Sequence, residues 1–256
     1  MATEDSTGAK PGLETESSRT EPEDASLDPA QLNQFAANPN LSEDQALSLL
    51  KRLDLAPGVL EQLGKNGSVL RNNKVKVALV EHPRTPRHVS IPLIRQLYTF
   101  DLMQVALTPA VPADIKRAAD EALCNRLETL PAGERLTLAH RGSSRIAEVL
   151  LSDKDARIVQ AALQNSRLTE TSIVRRLMRA DASAALVEAV CHHAEWSLRR
   201  EVRVALLRNE NTPLARAAEF AHSLPVGLVR DLLQASRLPE NVRAYLLNDC
   251  DKRVAD

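Results

Sequence analysis

The chain has 256 residues, and its 33 basic and 34 acidic side chains leave a formal net charge of −1 at pH 7. Hydrophobic residues make up 43% of the sequence but aromatic residues only 2%, so a core of Leu, Ala, Val and Ile is expected, which favours closely packed helices over a β-sandwich. A nearly neutral chain is unlike a dedicated nucleic-acid binder, and no apolar stretch has the length of a transmembrane helix. The scattered cysteines Cys124, Cys191 and Cys250 predict no disulfide framework, so we expect a cytoplasmic protein without membrane association.

The first thirty residues differ in composition from the rest of the chain. Residues 1–30 contain eight acidic and two basic side chains, and their only large aliphatic residues are Leu13 and Leu27. Such a segment cannot bury enough apolar surface to fold, and it lacks the pattern of a signal peptide, so a disordered acidic tail is predicted. The predicted folded domain, residues 31–256, then carries a net charge of +5.

Helical signals begin directly after this segment. Residues Ser42 to Gln45 have the pattern of a capping box at a helix N-terminus. Further on, Thr85-Pro86 is interpreted as an N-cap followed by proline at the first helical position, and an apolar helix is predicted over residues 89–97. Between these signals an apolar face follows the helical spacing i, i+3, i+4, i+7: Val75, Ala78, Leu79 and His82.

The same signals return in the second half of the chain. Thr212-Pro213 repeats the predicted helix start, and apolar helices are expected over residues 173–177 and 217–224. Two further groups have the i, i+3, i+4, i+7 spacing: Ile158, Ala161, Ala162 and Asn165, and Val202, Ala205, Leu206 and Asn209.

A single internal shift, which sets Val75 on Val202, relates the two halves of the chain without a gap. It places residues 75–86 on 202–213 and residues 38–43 on 165–170, and seven positions of segments 69–97 and 196–224 are identical. His82 lies as many residues after Asn38 as Asn209 lies after Asn165. We therefore interpret the shift as three units of about 42 residues, each a helix pair. About fifteen short helices are expected between positions 30 and 248.

Polar residues at the ends of the predicted helices have two interpretations. His82, Asn165 and Asn209 are a candidate ladder for ligand binding, or they are structural groups that close the last helical turn or bond the adjacent loop. We favour the structural interpretation.

The sequence contains few groups arranged for chemistry. Cys191-His192-His193 is the one cluster of metal-ligand atoms, but a zinc site usually needs a second pair, so no metal site is predicted. No glycine-rich phosphate loop and no nucleophile elbow is found. We therefore predict no catalytic residues, no cofactor and no enzymatic activity.

Basic residues form the candidate interaction sites. Arg175, Arg176 and Arg179 share one predicted helix, and the earlier half offers Arg71, Lys74 and Lys76. Solvated faces neutralised by Asp181 and Glu201 are the alternative interpretation. Trp and Arg dominate binding energy at protein interfaces, so one group is predicted to bind a partner, although Trp196 is equally explained as core: Trp196, Arg199, Arg200 and Arg203.

Three segments resemble the first helix of HEAT-like and leucine-rich variant repeats, namely residues 155–165, 200–213 and 74–86. The resemblance covers residues 31–250 and implies a right-handed α-solenoid that presents a concave surface to a protein partner. Residues 1–123 contain no cysteine, so the N-terminal iron–sulfur centre of the founding leucine-rich variant protein is not expected. Two functions agree with this resemblance, a non-enzymatic scaffold and a nucleic-acid-binding protein that uses a basic edge and is similar to the HEAT-repeat DNA glycosylases, which use a strongly basic face. The scaffold is favoured because residues 31–256 carry a net charge of only +5 and the chain has one Trp.

Overall fold

The computed structural model describes residues 28–255, and this part of the chain is all-helical, with sixteen α-helices and no strand. The prediction of an all-α protein with about fifteen short helices is confirmed. Helix α1 begins at Pro29, so the last two residues of the predicted disordered tail, residues 1–30, are helical. Residues 1–27 of that tail fall outside the described residues. The helices are α1 (Pro29–Ala37), α2 (Glu43–Leu50), α3 (Pro57–Lys65), α4 (Asn73–Glu81), α5 (Arg87–Ile94), α6 (Thr99–Leu107), α7 (Ala113–Cys124), α8 (Ala132–Arg141), α9 (Ser144–Leu150), α10 (Ala156–Leu163), α11 (Glu170–Met178), α12 (Ala184–His192), α13 (Arg200–Leu207), α14 (Leu214–His222), α15 (Val226–Gln234) and α16 (Glu240–Ala255).

The internal shift of the sequence is a structural repeat. The starts of α1 to α7, here called the first repeat, lie at one constant offset from the starts of α10 to α16, the second repeat, as Pro29 and Ala156 illustrate. The short 3₁₀ helix Val69–Arg71 before α4 likewise matches Trp196–Leu198 before α13. Helices α8 and α9 lie between the two repeats. One period therefore contains nine helices, and the prediction of one helix pair in each unit is wrong, because a third of the period accommodates three of these short helices.

Each helix packs against close neighbours in the sequence. Contacts join many consecutive helices, such as α4 with α5 and α6 with α7, and they also join helices two apart, such as α2 with α4, α9 with α11 and α14 with α16. The helices α4 and α6 are parallel. Asn73 donates to Asp101 where both helices begin, and Glu81 accepts from Gln104 and Thr108 where both end.

Helix starts follow the sequence signals in one case and depart from them in two. The Ser42 hydroxyl accepts from the Gln45 backbone N–H, and the Gln45 side-chain oxygen accepts from the Ser42 backbone N–H. The predicted capping box is therefore confirmed. Thr85 is not an N-cap. Its hydroxyl donates back to the Leu79 carbonyl at 2.6 Å, while Pro86 occupies the N-cap position. The same correction applies at Thr212, which bonds the Leu206 carbonyl at 2.6 Å.

The core is aliphatic, as the composition predicts. Buried apolar side chains from Leu32 in α1 to Cys250 in α16 form one contiguous cluster. Phe220 is a fully buried aromatic side chain in it. Among residues 28–255, none of the helices combines the length and apolar character needed to cross a membrane.

Candidate protein-binding surface

Polar side chains at several helix ends form hydrogen bonds to the second helix before their own. Asn165, after α10, donates to the carbonyls of Ala139 and Gly142 at the end of α8, at 2.8 and 3.2 Å. Asn209, after α13, donates to Leu177 in α11 at 2.8 Å. Both residues are buried, and the structural interpretation of these asparagines is confirmed.

His82 makes the equivalent connection with an imidazole ring. Its Nδ1 accepts from the Arg84 backbone N–H at 3.2 Å, so Nε2 carries the proton that it donates to the Arg52 carbonyl at 2.9 Å. In Asn209 the amide performs the same two functions, because its oxygen accepts from the Asn211 N–H at 3.0 Å. His82 and Asn209 occupy equivalent positions of the two repeats, so two residue types fill one structural position.

Three further residues, which were not predicted, connect helices through the same kind of hydrogen bond. Asn66 donates to the Ala36 and Asn38 carbonyls, Arg126 to Arg95 and Leu97, and Arg253 to Ala221 and Leu224. Their partners all lie on or just after the second helix before them. Arg126 and Arg253 occupy equivalent positions of the internal shift, and so do their partners Leu97 and Leu224, so the shift was a signal that could have identified them. Asn66 has His193 as its counterpart and gives no such signal.

Trp196 belongs partly to this structural set. It opens the 3₁₀ helix before α13, and its indole Nε1 donates to the Leu163 carbonyl at the end of α10, at 2.9 Å. Leu163 is the counterpart of Ala36, so Trp196 replaces the tie that Asn66 makes in the first repeat. The indole is half-buried, and the alternative interpretation of Trp196 as part of the packing is the one that its contacts support.

Arg203 is also held inside the fold. Its Nε donates to the Ser197 carbonyl at 2.7 Å, and its guanidinium lies 5.7 Å from the centre of the Phe220 ring. Arg216 approaches the same ring at 4.9 Å and bonds the Cys191 carbonyl. Cation–π contacts of this kind stabilise a buried aromatic ring, so Arg203 has limited freedom to reach a partner.

Arg199 and Arg200 are the exposed members of the predicted binding group. Arg199 is the N-cap residue of α13 and makes no side-chain capping bond, and Arg200 begins the helix. Leu198, which the sequence interpretation overlooked, lies beside them and is 66% exposed. The structure therefore brings together a short surface with one apolar and two cationic side chains.

Most members of the other basic clusters form ion pairs within the protein. Arg179 and Arg176 pair with Asp181, at 2.9 and 3.5 Å, and Arg175 pairs with Glu148 at 3.1 Å. In the first repeat Lys74 pairs with Glu43 at 3.5 Å. The interpretation of these faces as solvated and neutralised is confirmed for Asp181, whereas Glu201 forms no ion pair within residues 28–255.

An open groove of about 640 Å³ runs between α10 and α12. Gln160, Gln164 and Glu188 line it together with His192 and His193. Its floor and walls are otherwise formed by small or apolar side chains: Ala156, Val159, Leu163, Ala185, Ala189 and Ala194.

The cysteine and histidine cluster at this groove is not arranged as a metal site. Burial raises the pKa of Cys191 to about 11, so its thiol stays protonated at neutral pH. His192 Nδ1 bonds the Glu188 carbonyl, and His193 Nδ1 accepts backbone N–H groups. Across the described part of the chain, no three Cys, His, Asp or Glu side chains are grouped so that they could hold a metal ion.

Comparisons with protein-family models, curated proteins and solved structures yield no match to this chain.

Proposed function

We propose that this protein is a non-enzymatic interaction scaffold, built as a right-handed α-solenoid of the HEAT-like or leucine-rich variant type, which binds a partner protein in the cytoplasm. The observation that carries the proposal is the series of side-chain bonds from helix ends to the second helix before them, from Asn66 near the start to Arg253 near the end. A stack held by nearest-neighbour contacts forms an extended surface, which repeat proteins use for binding.

The surface around Trp196, Arg199, Arg200 and Arg203 is the proposed contact region. Arg199 and Arg200 are exposed there beside Leu198, and Trp196 and Arg203 fix the backbone under them through their bonds to Leu163 and Ser197. A rigid backbone under the exposed arginines does not have to be ordered on binding, and the planar guanidinium groups can form paired hydrogen bonds, which both favour affinity.

The test is capture of a partner from a lysate of the native host by the immobilised full chain. We expect one protein to be retained in stoichiometric amount and to be lost with Arg199→Glu/Arg200→Glu. The matched control is Lys154→Glu/Lys252→Glu, which changes the net charge equally at two other positions outside the proposed surface. Retention of nucleic acid instead, with a steep loss as salt rises, would support the nucleic-acid-binding alternative and contradict the scaffold.

A further inference from the structure

We propose that the surface formed by Leu198, Arg199 and Arg200, here called the Arg199 edge, docks an acidic segment of a partner protein. Carboxylates of that segment bind the two guanidinium groups, and an apolar side chain covers Leu198. This inference rests on the proposed scaffold function and specifies the chemistry of its partner.

In the first repeat, the side chains equivalent to the two arginines of this edge form hydrogen bonds within the protein. The equivalent residues are Arg71, Asn72 and Asn73. The Asn72 side chain caps α4 by accepting from the Lys74 N–H at 2.9 Å, and Asn73 donates to the Asp101 carboxylate at 2.6 Å. Both asparagines are thus used by the fold itself.

The second repeat has neither the capping asparagine nor the carboxylate. Arg199 replaces the capping Asn72 although the backbone is nearly unchanged, with φ −75° and ψ 130° against φ −86° and ψ 125°. Arg200 replaces Asn73, and Leu228 stands where Asp101 would be. Within residues 28–255, neither arginine forms a salt bridge.

The replacements place two cations on adjacent residues. Arg199 and Arg200 are gained and the Asp101 carboxylate is lost, whereas Leu198 in place of Arg71 and Glu201 in place of Lys74 act in the opposite direction. The helix dipole of α13, whose N-terminus has no side-chain cap, adds to the positive potential at the two arginines. Arginine forks bind carboxylates through paired, charge-assisted hydrogen bonds. The edge is therefore complementary to carboxylates brought by another molecule.

Two neighbouring residues favour a peptide over a nucleic acid. Glu195 and Glu201 flank the edge and are both exposed, so a continuous phosphate backbone would meet like charge on each side. A peptide can place its carboxylates locally on Arg199 and Arg200 and an apolar side chain on Leu198. An apolar contact beside the charged groups is typical of protein interfaces.

The experiment measures fluorescence anisotropy of a labelled synthetic peptide, in which Glu and Leu alternate, on titration with the full chain. Arg199→Asn/Arg200→Asn installs the residues of the first repeat and is expected to retain the fold. It should weaken binding about tenfold or more, because charge-assisted hydrogen bonds to carboxylates are lost. The control Lys154→Asn/Lys252→Asn removes the same charge and should leave affinity unchanged. Glu201→Gln should tighten binding.

Three results would overturn the assignment: no peptide binding, equal binding by Arg199→Asn/Arg200→Asn, or an equal loss in the control pair. Tighter binding of an oligothymidylate than of the peptide would also overturn it. If the peptide fails while the immobilised full chain still captures a partner, independently of Arg199 and Arg200, then the Arg199 edge is excluded and the scaffold stands. If capture fails as well, the scaffold proposal falls.

Discussion

Single polar side chains connect helices that lie two apart along the chain, and His82 provides a direct test. Because Asn209 makes the equivalent pair of bonds in the second repeat, His82→Asn should cost clearly less stability than His82→Ala. The alanine variant loses the bonds to Arg52 and Arg84 at a buried position, which should lower the free energy of unfolding by about 1–3 kcal/mol. Urea unfolding of both variants measures the difference. Equal losses would mean that the amide does not replace the imidazole.

Asp120 makes stability depend on pH. It is buried, and desolvation raises the pKa of its carboxyl above the ordinary 3.8, although the Ser143 hydroxyl donates to it at 2.7 Å and Arg145 lies nearby. The folded state then keeps the proton to a higher pH than the unfolded chain does. The stability from this group is fully present below pH 3.8 and is lost as pH rises through the raised pKa.

Asp120→Asn should therefore be more stable than the parent chain at neutral pH, and the difference should vanish in acid. Its amide oxygen can still accept from Ser143. Urea unfolding across a pH series checks this, with the exposed Asp231→Asn as the control. A constant difference between the two chains at every pH would contradict the assignment.

At the scale of the element, the start of α13 lacks a cap that its counterpart has. Arg199→Asn should let the amide accept from the Glu201 N–H, as Asn72 accepts from Lys74 in α4. A gain of about 1 kcal/mol in the free energy of unfolding is expected, the usual value of an N-cap. Denaturant unfolding of Arg199→Asn and Arg199→Ala separates this gain from the removal of the arginine. An asparagine variant no more stable than the alanine variant would exclude the cap.

At the scale of the whole molecule, a stack with nearest-neighbour contacts should respond locally to damage. His82→Ala should increase hydrogen exchange mainly in α2 and α4, and Asn209→Ala mainly in α11 and α13, because these are the helices that each residue connects. Exchange measured by mass spectrometry on both variants tests this. Uniform acceleration along the chain in both cases would indicate one cooperative globule instead.

The sequence by itself determined the all-helical class and the repeat. The apolar spacing of Val75, Ala78 and Leu79 reflects local helix geometry. The internal shift predicts the same spacing, and therefore the same helix, in α13. The structural function of Asn165 and Asn209 was also predictable, because a polar residue at a helix end has few uses other than satisfying nearby backbone groups.

Only the tertiary structure decided which polar side chains are exposed and which are used in contacts within the protein. The number of helices per period escaped prediction because helices of about nine residues leave too few turns for a clear periodic signal. Thr85 was wrongly predicted to be an N-cap residue, because its hydroxyl can bond forwards or backwards along the chain and here bonds backwards to the Leu79 carbonyl. The division of the binding group, with Trp196 and Arg203 packed and Arg199 and Arg200 exposed, depends on Leu163 in α10 and Phe220 in α14, which Trp196 and Arg203 contact. Contacts between separate helices follow from packing and are absent from local sequence patterns.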